Sequence, residues 1–216
     1  MISGSGHPLA YPVATTIGAL VICLAWAPFG GLEQLSMLGA VAVVVLGYSA
    51  FRLAVAFGAL PVRDPGPGAV PVRRTRQQHR LSSRSWLEFD GKSWLPVYFD
   101  PALVTLGEAG AECAGGVLRI GELRVYPAGP LRDSEPVGRL VDNPTRPDPD
   151  GPAHAARSAR IGRRLLLDAQ PAVGAPFAGV FWVYVAGGGV AAFAAATTVA
   201  AAVAVWFAAI RGSDPS

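Results

Sequence analysis

Hydrophobic and polar positions divide the chain into two uncharged ends and a polar middle. No charged side chain occurs in residues 1–32, and Arg52 alone interrupts the uncharged run over 34–62. At the other end, residues 169–210 contain no charge at all. A helix of about 20 apolar residues crosses the hydrocarbon core of a bilayer. The pattern therefore predicts an integral membrane protein with helical spans at both ends.

The N-terminal apolar region predicts two antiparallel transmembrane helices. After a tail over 1–10, the first helix is expected over 11–29 and the second over 35–60. The connection between them is so short that the two helices must pack side by side. A cleaved signal peptide is not expected, because no basic segment precedes the first run and a second run follows at once.

The last apolar run admits two interpretations. One is a single helix over 176–210 with an interfacial lead-in, and the other is a hairpin that folds at the glycines 187–189. Trp182 and Trp206 would be separated by about 36 Å of helix, which suits two interfacial aromatic belts. The first arm of a hairpin would have only about 15 residues, which is short for a span. We expect a single crossing, with the hairpin as the alternative that stays open.

The distribution of basic residues predicts the orientation. Sixteen of the eighteen Lys and Arg residues lie within 61–170, and the loop between the first two helices has none. By the positive-inside rule, residues 61–170 and the N-terminus are cytoplasmic and the loop at Glu33 faces outward. A single final crossing would then place the C-terminus outside. The expected location is the cell inner membrane, with several spans.

The polar middle predicts a small β domain. Residues 61–84 read as a basic Pro/Gly linker, 85–141 as the β domain, and 142–164 as a flexible basic segment. One hairpin is expected over 86–99 around Asp90-Gly91, and a second over 117–126 around Gly121-Glu122. The fold class is thus an α+β membrane protein with an N-terminal transmembrane hairpin, a cytoplasmic β-meander or barrel-like domain, and a C-terminal transmembrane helix.

Alternation within the second hairpin predicts which side chains form the core of the β domain. Leu118, Ile120, Leu123 and Val125 occupy the positions that would point inward, while the arginines between them point out. Pro96 lacks a backbone donor, so it belongs at an edge or a bulge of the sheet.

Candidate chemistry in the sequence is sparse. The triplet Gly91-Lys92-Ser93 ends like a phosphate-binding loop, but the loop's first glycine would fall on Trp86 and no helix start follows. No histidine or cysteine has a second one at the spacing of a metal site or a catalytic pair. These residues are His7, His79, His154, Cys23 and Cys113. We therefore expect no catalytic residues, no metal and no cofactor. The net charge of +3 gives no reason to expect a nucleic acid partner.

Basic side chains next to the spans are the candidate binding residues. They can anchor the helices at the interface, or they can contact anionic lipid headgroups or an acidic partner. Arg52 belongs with them, either as an interfacial anchor or as a deeper residue with a partner. The set is Arg52, Arg73, Arg74, Arg76, Arg80, Arg84, Arg157, Arg160, Arg163 and Arg164.

Small residues recur at four-residue steps along the last apolar run. Such a stripe makes one helix face smooth and permits close approach of another helix. The residues predicted for helix packing, in this chain or in a homo-oligomer, are Gly188, Ala192, Ala196, Ala200 and Ala204.

The decapeptide Trp94-Leu95-Pro96-Val97-Tyr98-Phe99-Asp100-Pro101-Ala102-Leu103 resembles a segment of uncharacterised multi-pass membrane proteins of high-GC bacteria. In those proteins it likewise follows a transmembrane hairpin and a basic linker. The resemblance implies the general layout and no activity.

Two functions are compatible with these features. The first is a non-enzymatic accessory or scaffold protein of the inner membrane that presents the β domain to a protein partner through exposed strand edges. The second is a membrane-bound enzyme or transporter component that engages anionic lipid headgroups through its arginines. Membrane lipid is an expected partner in both cases.

Overall fold

A computed structural model describes residues 6–60, 68–114, 116–143 and 148–216 of the chain. It is an α+β structure in which a bundle of helices carries a curled antiparallel sheet at one end. Four helical segments are long and apolar enough to cross a membrane: Ala10–Phe29, Leu32–Phe57, Ile161–Ala186 and Gly189–Ile210. Segments of this length and composition are typical of membrane proteins.

The first two helices form the predicted hairpin. Helix α1 spans Ala10–Trp26 and continues as one 3-10 turn over Ala27–Phe29, and α2 spans Leu32–Phe57. At the start of α2, the Gly31 N–H donates to the Gln34 side-chain oxygen at 2.6 Å, which satisfies a donor that the helix leaves open. Gly58 ends α2 with φ +79°, a left-handed conformation that glycine adopts without strain.

The described residues in the middle of the chain form seven strands and one short helix. The strands are β1 (Val70–His79), β2 (Ser82–Phe89), β3 (Ser93–Val97), β4 (Ala109–Ala114), β5 (Val117–Ile120), β6 (Leu123–Val125) and β7 (Arg139–Asp142); the helix α3 covers Pro101–Val104. The strand order is β3-β2-β1-β4-β5-β6, with β7 paired to β1. Residues after β6 return to the outer edge of β3, where Pro127 pairs with Val97 and Arg132 with Trp94.

Both predicted hairpins are present. β2 pairs with β3 across Asp90-Gly91, and β5 pairs with β6 across Gly121-Glu122. Leu118, Ile120 and Val125 are buried in the core of the sheet, and Leu123 packs against it partly exposed. Pro96 lies in β3, at the end of the strand order. Local alternation and turn residues were enough to predict these pairs.

The predicted linker over 61–84 is wrong for its second half. Residues 61–67 lie outside the described residues, but β1 and the first three residues of β2 fall within 70–84. Val72 and Arg74 of β1 point to the same buried face, while Arg73 between them and Pro71 before them are exposed. The alternation escapes notice because one inward position is an arginine.

Helices also replace the flexible segment predicted over 142–164. Residues 144–147 lie outside the described residues, and beyond them α4 covers Gly151–Ser158 and α5 covers Ile161–Asp168. Residues 6–10 of the tail predicted over 1–10 are described. Within them, His7 Nε2 shares a hydrogen bond of 2.9 Å with the Tyr126 hydroxyl, which ties this part of the tail to the β domain.

The prediction of one continuous helix over 176–210 is wrong. The run folds as α6 (Ala175–Ala186) and α7 (Gly189–Ile210), which pack against each other as a hairpin. Gly187 and Gly188 have φ values of +73° and +90°, which no α-helix contains and which glycine tolerates. The first arm reaches spanning length because α5 and a 3-10 segment over Gln170–Gly174 precede α6.

The C-terminal tail lies against the sheet. Ser213 forms an antiparallel bridge with Arg84, and the Asp214 N–H donates to the Ser83 carbonyl at 2.9 Å. The tail and the β domain are therefore at the same end of the bundle, and the expectation that they lie on opposite sides is wrong. The hairpin of α6 and α7 is the reason, because it returns the chain to the end from which it started.

Candidate functional site

Four arginines converge where the helix bundle meets the sheet. They come from distant parts of the chain: Arg52 from α2, Arg84 from β2, Arg132 from the segment after β6, and Arg211 from the end of α7. The charges of the other three act on Arg84, and those of Arg52 and Arg132 act on Arg211. We call these four residues the junction cluster.

Arg52 connects α2 to the β domain. Its Nη1 donates to the Tyr48 hydroxyl one turn earlier, at 3.3 Å, and its Nη2 donates to the Ala128 carbonyl. The guanidinium also lies 5.6 Å from the centre of the Tyr48 ring. Its Nε is buried without a hydrogen-bond partner among the described residues. An unsatisfied buried donor is costly, so this atom is suited to an acceptor from a ligand.

Burial and repulsion lower the pKa of two members of the cluster. Burial, together with repulsion from the other three arginines, lowers the pKa of the Arg84 guanidinium to about 10. Burial and repulsion from Arg52 and Arg132 also lower the pKa of Arg211. The value for Arg84 is well above 7, and arginine side chains are charged in proteins at neutral pH, so the cluster carries four positive charges. A bound anion would reduce the repulsion among these charges.

Among the described residues, no ion pair joins a carboxylate to an arginine of the cluster. The ion pairs found there involve other basic residues, namely Arg73, Arg74, Lys92 and His154. Arg132 and Arg211 lie instead over aromatic rings, 5.3 Å from the centre of Trp86 and 4.8 Å from that of Phe207. A contact with an aromatic ring holds the guanidinium in place and leaves its N–H groups free to donate in the plane of the guanidinium.

A groove of about 660 Å³ runs along the bundle and ends at Val45 and Trp206, short of this cluster, whose arginines do not line it. Its walls are apolar and come mainly from α2 and α7, with a contribution from α6. Lining side chains include Val41, Val44, Val45, Ala196, Val199 and Val203, and Trp206 lies at the sheet end. We call this surface the groove.

The predicted arginines separate into three groups. Arg52 and Arg84 belong to the junction cluster. Others contact side chains or carbonyl groups of the protein, although Arg73 and Arg163 are also exposed: Arg73 contacts Glu88 and Asp142, Arg74 Asp214, Arg76 Ser83, Arg163 the Pro215 carbonyl, and Arg164 the Tyr11 ring. The remaining three are exposed on the surface, and these are Arg80, Arg157 and Arg160.

The small-residue stripe predicted for helix packing faces the groove. Gly188, Ala192, Ala196 and Ala200 line it, whereas Ala204 does not. The close helix contact in the bundle is made elsewhere, by Gly179 of α6 against Thr197 and Phe193 of α7. Association of the stripe with a second copy stays a prediction.

Sequence reasoning missed two members of the junction cluster. Arg211 directly follows the last apolar run, and an even number of spans would have placed it beside Arg52 and Arg84. Arg132 has no local signal, because its position depends on the return of residues 127–132 to the edge of β3.

Comparison with models of protein families, with curated proteins and with solved structures finds no match. Among the described residues, no group of three His, Cys, Asp or Glu side chains is placed to hold a metal ion. The chemistry of the junction cluster is thus the strongest guide to function that this chain offers.

Proposed function

We propose that the protein is a multi-pass protein of the cell inner membrane that binds an anionic, phosphate-bearing lipid headgroup at the junction cluster. The observation that supports this is the convergence of the four arginines of the cluster. Among the described residues, none of the four forms an ion pair with a carboxylate. Guanidinium groups bind phosphate through paired N–H donors, and several together suit a single headgroup. The proposed role is binding, without a chemical step.

The position of the cluster favours a lipid over a protein partner. Arg52 is in the last turns of α2 and Arg211 directly follows α7, so both lie at the level where lipid headgroups meet helix ends. An accessory or scaffold role was expected from exposed strand edges. The outer edge of β3 is covered by residues 127–132, which leaves that role with less support.

The proposed orientation places the β domain, both termini and the junction cluster in the cytoplasm. Sixteen of eighteen Lys and Arg residues lie within 61–170, and Arg211 joins them at the same end of the bundle. The loops at Glu33 and after Ala186 lie at the opposite end of the helices.

We expect single cysteines at Glu33 and Ala186 to react with an impermeant thiol reagent on intact cells, and one at Asp150 to react only after lysis. The background for these variants lacks Cys23 and Cys113. Labelling at 150 on intact cells would invert the orientation. Labelling at 33 with protection at 186 would contradict the hairpin of α6 and α7.

Anionic lipid should stabilise the protein through the junction cluster. We expect phosphatidylglycerol to raise the thermal midpoint of the detergent-solubilised protein, while phosphatidylcholine does not. Each arginine near a charged headgroup contributes about 1 kcal/mol, or roughly a fivefold change in affinity. Arg84→Gln and Arg211→Gln should each weaken the apparent affinity for phosphatidylglycerol by about that factor, measured by titration of the midpoint.

Arg80→Gln and Arg157→Gln are the matched controls, because both residues are exposed and carry the same charge. These variants should bind phosphatidylglycerol like the unaltered protein. An equal loss in controls and cluster variants would mean that net charge, not the junction cluster, attracts the lipid. Equal stabilisation by phosphatidylcholine would overturn the proposed function.

A further inference from the structure

We infer that the groove holds an acyl chain of the same lipid whose headgroup binds the junction cluster, so that the ligand is one intact anionic phospholipid. This inference rests on the proposed function and names its ligand more closely. The occupant is a lipid that enters sideways from the bilayer between α2 and α7, rather than a soluble anion.

The groove and the cluster lie along the same face of α2. On α2, Val41 and Val45 of the groove are followed by Tyr48 and then Arg52 at helical spacing, on the same face. From Val45 to Arg52 the distance along the helix is about 10 Å. A chain that lies in the groove therefore has its headgroup end within reach of the arginines.

Aromatic side chains mark the boundary between the two parts. The rings of Tyr48 and Trp206 are 5.9 Å apart, and the Trp206 indole N–H donates to Ser49 Oγ at 2.9 Å. Apolar groove, aromatic pair and arginines thus follow one another in the order of hydrocarbon, interface and headgroup layers in a bilayer. This order, with four arginines at its polar end, argues for a lipid with an anionic headgroup.

The groove contributes shape more than hydrophobic energy. The bilayer is as apolar as the groove, so an acyl chain gains no hydrophobic free energy when it moves from one to the other. The gain in free energy comes from packing against the fixed walls of the groove. The small residues Ala192, Ala196 and Ala200 leave room for such a chain along α7. Headgroup contacts then decide which lipid is retained.

The test compares two neighbouring valines of α2. Val44 lines the groove and is 64% exposed, whereas Val43 is 69% exposed and does not line it. We expect Val44→Trp to reduce the fraction of protein that retains phosphatidylglycerol in native mass spectrometry by roughly fivefold, and Val43→Trp to leave it unchanged. Ala196→Phe, which fills the groove from α7, should act like Val44→Trp.

Inorganic phosphate separates this inference from the proposed function. If stabilisation by millimolar phosphate is lost in Arg84→Gln and kept in Val44→Trp, the headgroup site is intact and the groove variant acts on the acyl chain alone. Unchanged lipid retention in both groove variants would overturn the inference and leave the headgroup site standing. A dimer in the same spectra that Val44→Trp and Ala196→Phe dissociate would identify a second copy of the chain as the occupant and would also overturn it.

Discussion

Replacing Asp214 with alanine is expected to destabilise the protein by about 3–5 kcal/mol, the usual cost of breaking a buried ion pair. Its carboxylate accepts from Arg74, from Ser85 Oγ at 2.6 Å, and from the Ser216 N–H at 2.9 Å. The side chains of Arg74 and Asp214 are 3% and 0% exposed. Without Asp214, the Arg74 guanidinium would stay buried without its carboxylate. Unfolding in detergent, followed by tryptophan fluorescence, measures the loss.

Lys92→Ala is the control for this prediction. Its ion pair with Asp90 spans 3.5 Å between side chains that are 83% and 66% exposed, and such pairs contribute at most about 1 kcal/mol. A loss in Asp214→Ala no larger than in Lys92→Ala would contradict the buried pair. Replacing both partners, in Arg74→Met with Asp214→Leu, should recover much of the stability, because no charge then remains buried.

The same pair predicts a pH dependence. Burial by itself would raise the pKa of the Asp214 carboxyl, but Arg74 and hydrogen bonds from Ser85 and Ser216 hold it below its ordinary value. A folded-state pKa below the unfolded value of about 3.9 gives stability that is present above about pH 4. That stability is lost as the pH falls through the folded-state pKa. Asp214→Asn should therefore flatten the stability curve below pH 4, and an unchanged curve would contradict this assignment.

The strand β1 illustrates what the sequence can and cannot predict. The two hairpins over 86–99 and 117–126 follow from alternation and turn residues within a dozen positions. β1 was missed because its inward position Arg74 is buried only by virtue of Asp214, 140 residues further on. A local pattern cannot identify a charged residue as a core residue when its partner arrives from the other end of the chain.

The junction cluster shows the same limit for the site. Arg52 was identifiable as the lone charge of an apolar run, and Arg84 as part of a basic stretch. Their meeting with Arg211 depends on the break at Gly187 and Gly188, which returns the chain to the sheet. Composition predicted a membrane protein rich in arginine, but the number of helices decided which arginines converge.

A larger side chain at Gly179 is expected to separate α6 from α7. A Cβ there would clash with Thr197 Oγ1 and would lie 3.0 Å from both Cδ2 and the carbonyl oxygen of Phe193. The hydroxyl can rotate away, but the carbonyl oxygen belongs to the backbone of α7 and cannot yield. Overpacking of this kind costs about 1–3 kcal/mol, so Gly179→Leu should lower the unfolding free energy by at least that much.

Gly39→Ala provides the matched control, because a Cβ at that position of α2 meets nothing within 4 Å. On helix propensity alone, glycine to alanine stabilises a helix by up to about 1 kcal/mol, so the control should be neutral or stabilising. Gly179→Ala should change stability in the opposite direction, since its methyl group already meets the Phe193 carbonyl oxygen. Helix content and unfolding in detergent, followed by circular dichroism, measure both variants. If Gly179→Ala gained as much stability as Gly39→Ala, the close packing that folds the last apolar run into a hairpin would be refuted, and with it the placement of Arg211 beside Arg52.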